Sequence, residues 1–251
     1  MVRGIESAAS GMITLSDKLD TVTNNLANIS TPGFKRLIQN ISESNSQPVN
    51  RVFLQTDGDV EPFMGDLGSG SQLSTQAVDL STGSLEHTSS KLDVAITLNK
   101  NAFFQVQTPN GIRYTRDGNF ALNNNDELVT QYGYPVLSSA NTPITIDGQN
   151  VTIASDGSIQ VDGQQTDTLG VVSLNNSSQI IPQGSNLFNY TGQVASTSNF
   201  KIEQGYLESS NVNTVKEMVD MISMERAYES GQKAIITEDN ETGQMLTQFR
   251  I

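Results

Sequence analysis

The residue types able to do chemistry are few. The 251 residues hold one histidine, His87, and no cysteine, which excludes disulfides, thiolate nucleophiles and thiolate metal sites. A zinc site would have to be built almost wholly from carboxylates. His87 lies near Ser89, Ser90 and Asp93, the ingredients of a nucleophilic triad, but a triad is assembled in space and nearness along the chain is no evidence for one. Asn123-Asn124-Asn125-Asp126-Glu127 has the oxygen density of a calcium loop, yet Leu128 stands where such a loop needs glycine. A plain hairpin turn is the simpler reading. Asn25 and Asn28 could offer amides to a ligand, but asparagines beside a helix end serve exposed backbone groups, here either their own cap or a neighbouring subunit. No catalytic constellation emerges, so the expectation is a protein that is not an enzyme, with no cofactor, no metal and no small-molecule substrate.

Composition narrows the partners. With 14 basic and 27 acidic residues the net charge is -13, and a chain this acidic repels phosphate backbones, so nucleic acid is not an expected partner. Hydrophobic residues are 35% and aromatics 6%, thin for a dense enzyme core. The first fifteen or so residues lack the uninterrupted apolar stretch of a secretory signal, and no run approaches the roughly 18 apolar residues of a membrane span. If the protein leaves the cytoplasm, it is expected to do so uncleaved.

The elements that must position these residues fall into three regions. Ile5, Ala8, Met12, Leu15, Leu19, Val22, Leu26 and Ile29 follow the alternating three-and-four spacing of a heptad seam, which predicts one amphipathic helix. The flanking Ala9, Gly11, Ser16, Lys18, Thr23 and Asn25 are mostly small or neutral, suited to close packing against several neighbours. The helix should stop near Thr31, before Pro32 and Gly33. From about Asn211 to Phe249 a second helical pattern carries two apolar stripes, Met221, Met224, Tyr228, Ile235, Met245 and Phe249 on one, Val215, Met218, Ile222 and Ile236 on the other. A helix with two stripes is contacted from more than one side.

Between them lie short strand-like runs such as Val94 to Ile96, Phe103 to Val106 and Arg113 to Thr115. They are separated by Asn110-Gly111, Asp117-Gly118, Asp147-Gly148, Asp156-Gly157 and Asp162-Gly163, the spacing of an antiparallel sheet folded on itself. Phe103 and Phe104 should alternate across a strand, one inward and one toward a neighbour. Residues 39–81, rich in glycine and poor in apolar period, read as an extended or partner-dependent connection. The expected fold is α+β: a terminal helical, coiled-coil-like domain from residues 1–34 and 205–251, an extended connection over 35–81, and a β-rich middle over 82–204. Ordering a helix costs about 1 to 2 kcal/mol per residue, while a buried seam side chain, one in every three or four, returns about 1.5 to 3 kcal/mol. The terminal helices therefore need partners, and order through stacking of subunits is the expectation.

Asn24-Asn25-Leu26-Ala27-Asn28-Ile29-Ser30-Thr31-Pro32-Gly33-Phe34-Lys35 resembles the N-terminal signature of the axial proteins of the bacterial flagellum, the rod and hook family. Leu92 to Ile96, Phe103 to Val106, Tyr114-Thr115-Arg116-Asp117-Gly118-Asn119-Phe120, Gly205-Tyr206-Leu207-Glu208-Ser209-Ser210-Asn211-Val212 and Arg226-Ala227-Tyr228-Glu229 agree in order. Asn101 and Asp126 depart from it, standing where the family commonly has glycine. Lacking a large inserted domain, the chain is similar to rod rather than hook subunits. Thr88 to Ala95 and Asp239 to Leu246 resemble the proximal rod branch, which is favoured; Asp66-Leu67-Gly68-Ser69-Gly70-Ser71 resembles the distal branch. An extended hairpin within 39–81 that contacts neighbours would distinguish the distal branch.

The resemblance implies a structural subunit of the rod, exported unfolded through the flagellar type III apparatus without a cleaved signal and polymerising into a tubular driveshaft of the basal body. That rod spans the periplasm if the cell has an outer membrane. Its partners would be itself, other flagellar axial proteins and the export apparatus, with the terminal helices as the inner layer and the β domain outside. Subunit contacts would fall on Ile5, Met12, Leu15, Leu19, Val22, Asn25, Leu26, Asn28, Ile29, Val215, Met218, Met221, Ile222, Tyr228, Ile235 and Phe249. The rival from another class is a secreted β-rich adhesin or glycan-binding protein, which the low charge and the asparagine content would also suit.

Overall fold

A computed structural model describes residues 2–50, 63–73, 76–148, 150–197 and 199–248. Helix α1 runs Val2–Ala27 and helix α2 Thr214–Gln248, with antiparallel strands between them. The chain divides into two compact units, one gathering residues 1–23, 39–75 and 215–251, the other 24–38 and 76–214. Among the described residues no helix is long and apolar enough to cross a membrane.

In the first unit the segment expected as an extended or partner-dependent connection contains a pair of long strands, Ile41–Asn50 and Phe63–Leu73, joined in antiparallel register from Ile41 opposite Leu73 to Asn50 opposite Phe63. Neither strand alternates apolar and polar residues, so the periodicity that marks a half-buried strand is absent. Backbone pairing and α1 hold this ribbon. Thr14 Oγ1 lies 3.0 Å from Ser71 Oγ, Ser10 Oγ accepts the Ser71 N–H at 3.3 Å, and Thr21 Oγ1 donates to Gln39 Oε1 at 2.6 Å. These hydroxyls recur at helical spacing and give α1 a polar face beside its apolar seam.

The second unit is built on a six-stranded sheet whose central strands are Gly111–Thr115, Ala102–Thr108 and Val171–Ser173. Phe103 and Phe104 do alternate across it, but both are fully buried. Phe104 meets Phe120 edge-on at 5.2 Å in a core with Val94, Val136, Ile144 and Ile159. Phe103 meets Phe188 at 5.7 Å in a second core with Phe34, Leu37, Val78 and Val212. The expectation that one phenylalanine faces a neighbour is thus corrected: residues 34–37 and Val212, which flank the terminal helices, cover the second face of the sheet. Likewise Tyr206–Glu208 is a strand paired with Leu85–His87, and helix begins only at Thr214. The Asn123 segment is the turn between the paired strands Phe120–Leu122 and Leu128–Thr130, closed by Asn123 Oδ1 accepting the Asn125 and Glu127 N–H groups.

Candidate functional site

Three segments far apart in sequence meet inside the second unit. Thr31 ends the turn that follows α1, and Gly33 adopts φ 67°, a left-handed conformation that suits glycine. A Cβ there would lie 2.4 Å from the Arg116 carbonyl carbon and the Asp117 nitrogen, so only glycine lets the chain pass this close. The Gly33 N–H donates to the Glu208 carbonyl at 2.6 Å, which delivers Lys35 into the interior. There Lys35 Nζ donates to Glu208 Oε1 at 2.7 Å and to the Ser81 carbonyl at 2.7 Å. Arg116 Nε donates to Glu208 Oε2 at 2.6 Å, and the rest of its guanidinium donates to the carbonyls of Ile96, Asn99 and Ala102. The Gly83 N–H adds a bond to Glu208 Oε1 at 2.9 Å.

All three side chains are buried, and one carboxylate serves two cations. Burial works to raise the Glu208 carboxyl, but Arg116 and Lys35 outweigh it and hold the group below the usual carboxylate range. Burial pushes the Lys35 ammonium down, and its bond to Glu208 offsets only part of that. The surplus positive charge is carried by backbone carbonyls, the arrangement a buried ion cluster requires. The hub is mechanical: it fastens the exit of α1 and the strand Tyr206–Glu208, which precedes α2, to the turn beside the central sheet.

Asparagine amides complete the fastening. Asn25 is buried; its Nδ2 donates to the Leu37 carbonyl and its Oδ1 accepts the Leu37 N–H, both at 2.9 Å. Asn28 Nδ2 donates to the Asn24 carbonyl at 2.9 Å, a local cap of α1. Asn211 Oδ1 accepts the Arg36 N–H at 2.7 Å, and Asn186 Nδ2 donates to the Pro32 carbonyl at 2.7 Å. Next to Asn186 sits Asp117, buried, its Oδ1 accepting the Asn119 N–H at 3.0 Å. Burial, with the nearby Asp93 carboxylate, pushes Asp117 up to about 6 against the opposing hydrogen bonds.

Most of the remaining predicted residues lie in the helical unit, while Leu26, Ile29 and His87 fall in the other. On α1, Ile5, Met12, Leu15 and Leu19 are half-buried and Val22 buried. Leu26 is half-buried near the helix end, and Ile29 lies past it in the turn, packed on the second core. On α2, Met224 is buried and Met221, Tyr228 and Ile235 are half-buried, following one stripe. Gly231 on that stripe faces Met12, whose Cγ would lie 2.9 Å from an added Cβ. Val215, Met218, Val219, Ile222 and Ile236 are exposed, Val215 by 72% and Ile236 by 60%. Phe249 lies outside the described residues. His87 is exposed, its ring 5.0 Å from Tyr206 on the paired strand.

Lys35, Arg116 and Glu208 were not among the residues singled out from sequence. Their signal was present: each is a charged residue inside a motif segment otherwise built mostly of glycine, small polar and apolar residues, where a solvated charge has no evident use.

A helical unit drawn from both chain ends and a β unit pinned to the segments beside them define a protein built to hold its termini in place. Comparison with known proteins agrees. Residues 5–35 match the family model described as flagella basal body rod protein, 97–161 the flagellar hook protein FlgE/F/G D1 domain, and 203–247 the flagellar basal body rod FlgEFG protein C-terminal model. The flagellar basal-body rod protein FlgG of Borreliella burgdorferi is 34% identical over 259 residues, covering 97% of each chain. FlgG of Bacillus subtilis is 34% identical over 257 residues, covering 95% of this chain and 96% of its own. FlgF of Caulobacter vibrioides is 36% identical over 228 residues, covering 89% and 88%. The chain belongs to the flagellar basal-body rod protein family. It is a structural protein of the flagellar basal body, not an enzyme, and it assembles with other flagellar axial proteins.

Proposed function

We propose that the chain polymerises through its terminal helices, packed in coiled-coil fashion, into the tubular driveshaft that carries torque from motor to hook, and that it is a distal rod subunit. The observation that carries the first part is the second stripe of α2: Val215, Met218, Val219, Ile222 and Ile236 stay exposed while Met221, Met224, Tyr228 and Ile235 turn inward. An apolar patch such as Val215 to Ile222 on a helix is covered in the working state; burying it must outweigh the repulsion between copies of net charge -13, and a cysteine-free chain suits passage through the flagellar type III export apparatus. The predicted contact residues Ile5, Met12, Leu15, Leu19, Leu26, Ile29, Asn28 and Phe249 belong to the same reading, whereas Val22 is already buried within the chain. Asn25 contributes to it indirectly, since its amide is engaged with Leu37.

The distal assignment departs from the proximal branch favoured by sequence. It draws on the paired strands Ile41–Asn50 and Phe63–Leu73, which supply the extended pairing but not the contact with neighbours that would mark the distal branch, and relatives named FlgG are in keeping with it. The proximal reading draws on Thr88 to Ala95 and the likeness to FlgF. Two experiments test the proposal. Full-length protein should sediment as large assemblies above a critical concentration, and Ile222→Asp should remain monomeric with an unchanged melting temperature; an Ile222→Asp variant that assembles like wild type contradicts it. Expression should restore motility to a strain lacking its distal rod subunit and not to one lacking its proximal subunit, and the reverse pattern returns the assignment to the proximal branch.

A further inference from the structure

Among the described residues, the non-glycine positions with positive φ are Ser89, Asp126, Asn141, Asp162, Ser185 and Asn186, and Leu98 at φ 68°. Serine, aspartate and asparagine tolerate that conformation because their short polar side chains bond the local backbone. Leucine has no such compensation, so Leu98 costs the monomer stability. Its side chain recovers little of this by burial. It is 77% exposed, more than any other large apolar side chain among the described residues.

The exposure is not slack in the chain. Leu98 sits in the turn between the strands Val94–Thr97 and Ala102–Thr108, and the buried Arg116 guanidinium fastens that turn from beneath at the carbonyls of Ile96, Asn99 and Ala102. Asn99 Oδ1 closes it by accepting the Asn101 N–H at 2.9 Å. Leu98 and the exposed Val194 stand at the edge of a cleft of about 620 Å³ floored by Leu169, Val171, Val172 and Phe200. Lys100 is exposed two residues further on, a cation presented beside an apolar tip by a chain of net charge -13.

We infer that the Leu98 turn is a rigid docking knob that seats in a second copy of this chain. Backbone strain held in place by a buried cation, with an apolar side chain presented outward, is the arrangement expected where an interface, and not the monomer, gains from the residue. The occupant follows from the assembly reading, in which the chain meets copies of itself, and Lys100 gives the turn one cation to set against the repulsion between chains of net charge -13. Contact between copies in a helical assembly joins different faces of the subunit, so knob and receiving surface need not be alike. The inference rests on the assembly reading above and goes beyond it, placing a contact on the β unit that the terminal helices do not supply.

Leu98→Asn separates the two roles, because asparagine accepts the left-handed backbone. The variant should melt at the wild-type temperature or about 2 °C higher, and its critical concentration for assembly should rise roughly tenfold or more, the loss expected for one buried leucine. A lower melting temperature with unchanged assembly overturns the inference, since Leu98 would then serve its own cleft. The absence of native cysteine permits a second measurement: Leu98→Cys should react freely with a thiol reagent in the monomer and roughly tenfold more slowly once assembled. Equal labelling in monomer and assembly overturns the knob alone. A wild type that stays monomeric at every concentration removes the assembly reading, and the knob with it.

Discussion

Replacing Glu208 by alanine takes away the carboxylate that Lys35 and Arg116 share and leaves two cations facing each other in the interior. The expected loss is about 3 to 5 kcal/mol by denaturant titration. Lys35→Met leaves the Arg116–Glu208 pair intact and should cost well under half of that. A Glu208→Ala variant as stable as wild type would show that the hub is ornamental. Asp117 predicts an opposite effect. Its folded value of about 6 stands above the ordinary 3.8, so the folded state takes up the proton more readily than the unfolded one. Its contribution to stability is complete below pH 4 and lost as pH rises through 6. Asp117→Asn should flatten that dependence and stabilise the protein at pH 7 by at most about 3 kcal/mol; parallel stability curves between pH 4 and 7 would contradict it. These residues were hidden in the sequence by distance: Lys35 is 173 positions from Glu208, and Arg116 is 92. The amides nearer together, Asn25 and Leu37, were within reach of local reasoning, which named Asn25 but not its partner.

At the scale of elements, α1 and α2 answer to different tests on their two faces. Gly231→Leu would drive a side chain into Met12 and should lower the melting temperature by several degrees, as overpacking of about 1 to 3 kcal/mol does; an unchanged melting temperature would mean that Met12 yields without loss. The exposed stripe behaves oppositely, since Ile222→Asp should spare the monomer and abolish assembly. Both helices were readable because their apolar residues recur at the helical period over many turns. The ribbon Ile41–Asn50 and Phe63–Leu73 was not, because pairing between its strands supplies what apolar alternation would otherwise signal. Phe103 and Phe104 were half-readable: alternation gave their opposite faces, and only the tertiary placement of Phe34, Leu37 and Val212 shows that both faces are covered.

For the whole molecule, the α+β division into helical ends and a β-rich middle could be read from pattern alone, since long periodic helices and closely spaced turn dipeptides are local signals. The way residues 24–38 join the β unit while 39–75 join the helical one depends on the hub and the asparagine bonds, which no local signal carries. The central claim is that the helices of residues 2–27 and 214–248 gain their order from neighbouring copies. Hydrogen exchange read amide by amide, in monomer and in assembled protein, tests it most directly. Protection in α1 and α2 should rise by two orders of magnitude or more on assembly, the gain that burying an exposed apolar stripe would bring, while the sheet around Phe103 and Phe104 stays as protected as it was. Helices equally protected in both states, with the change confined to the β unit, would contradict the account.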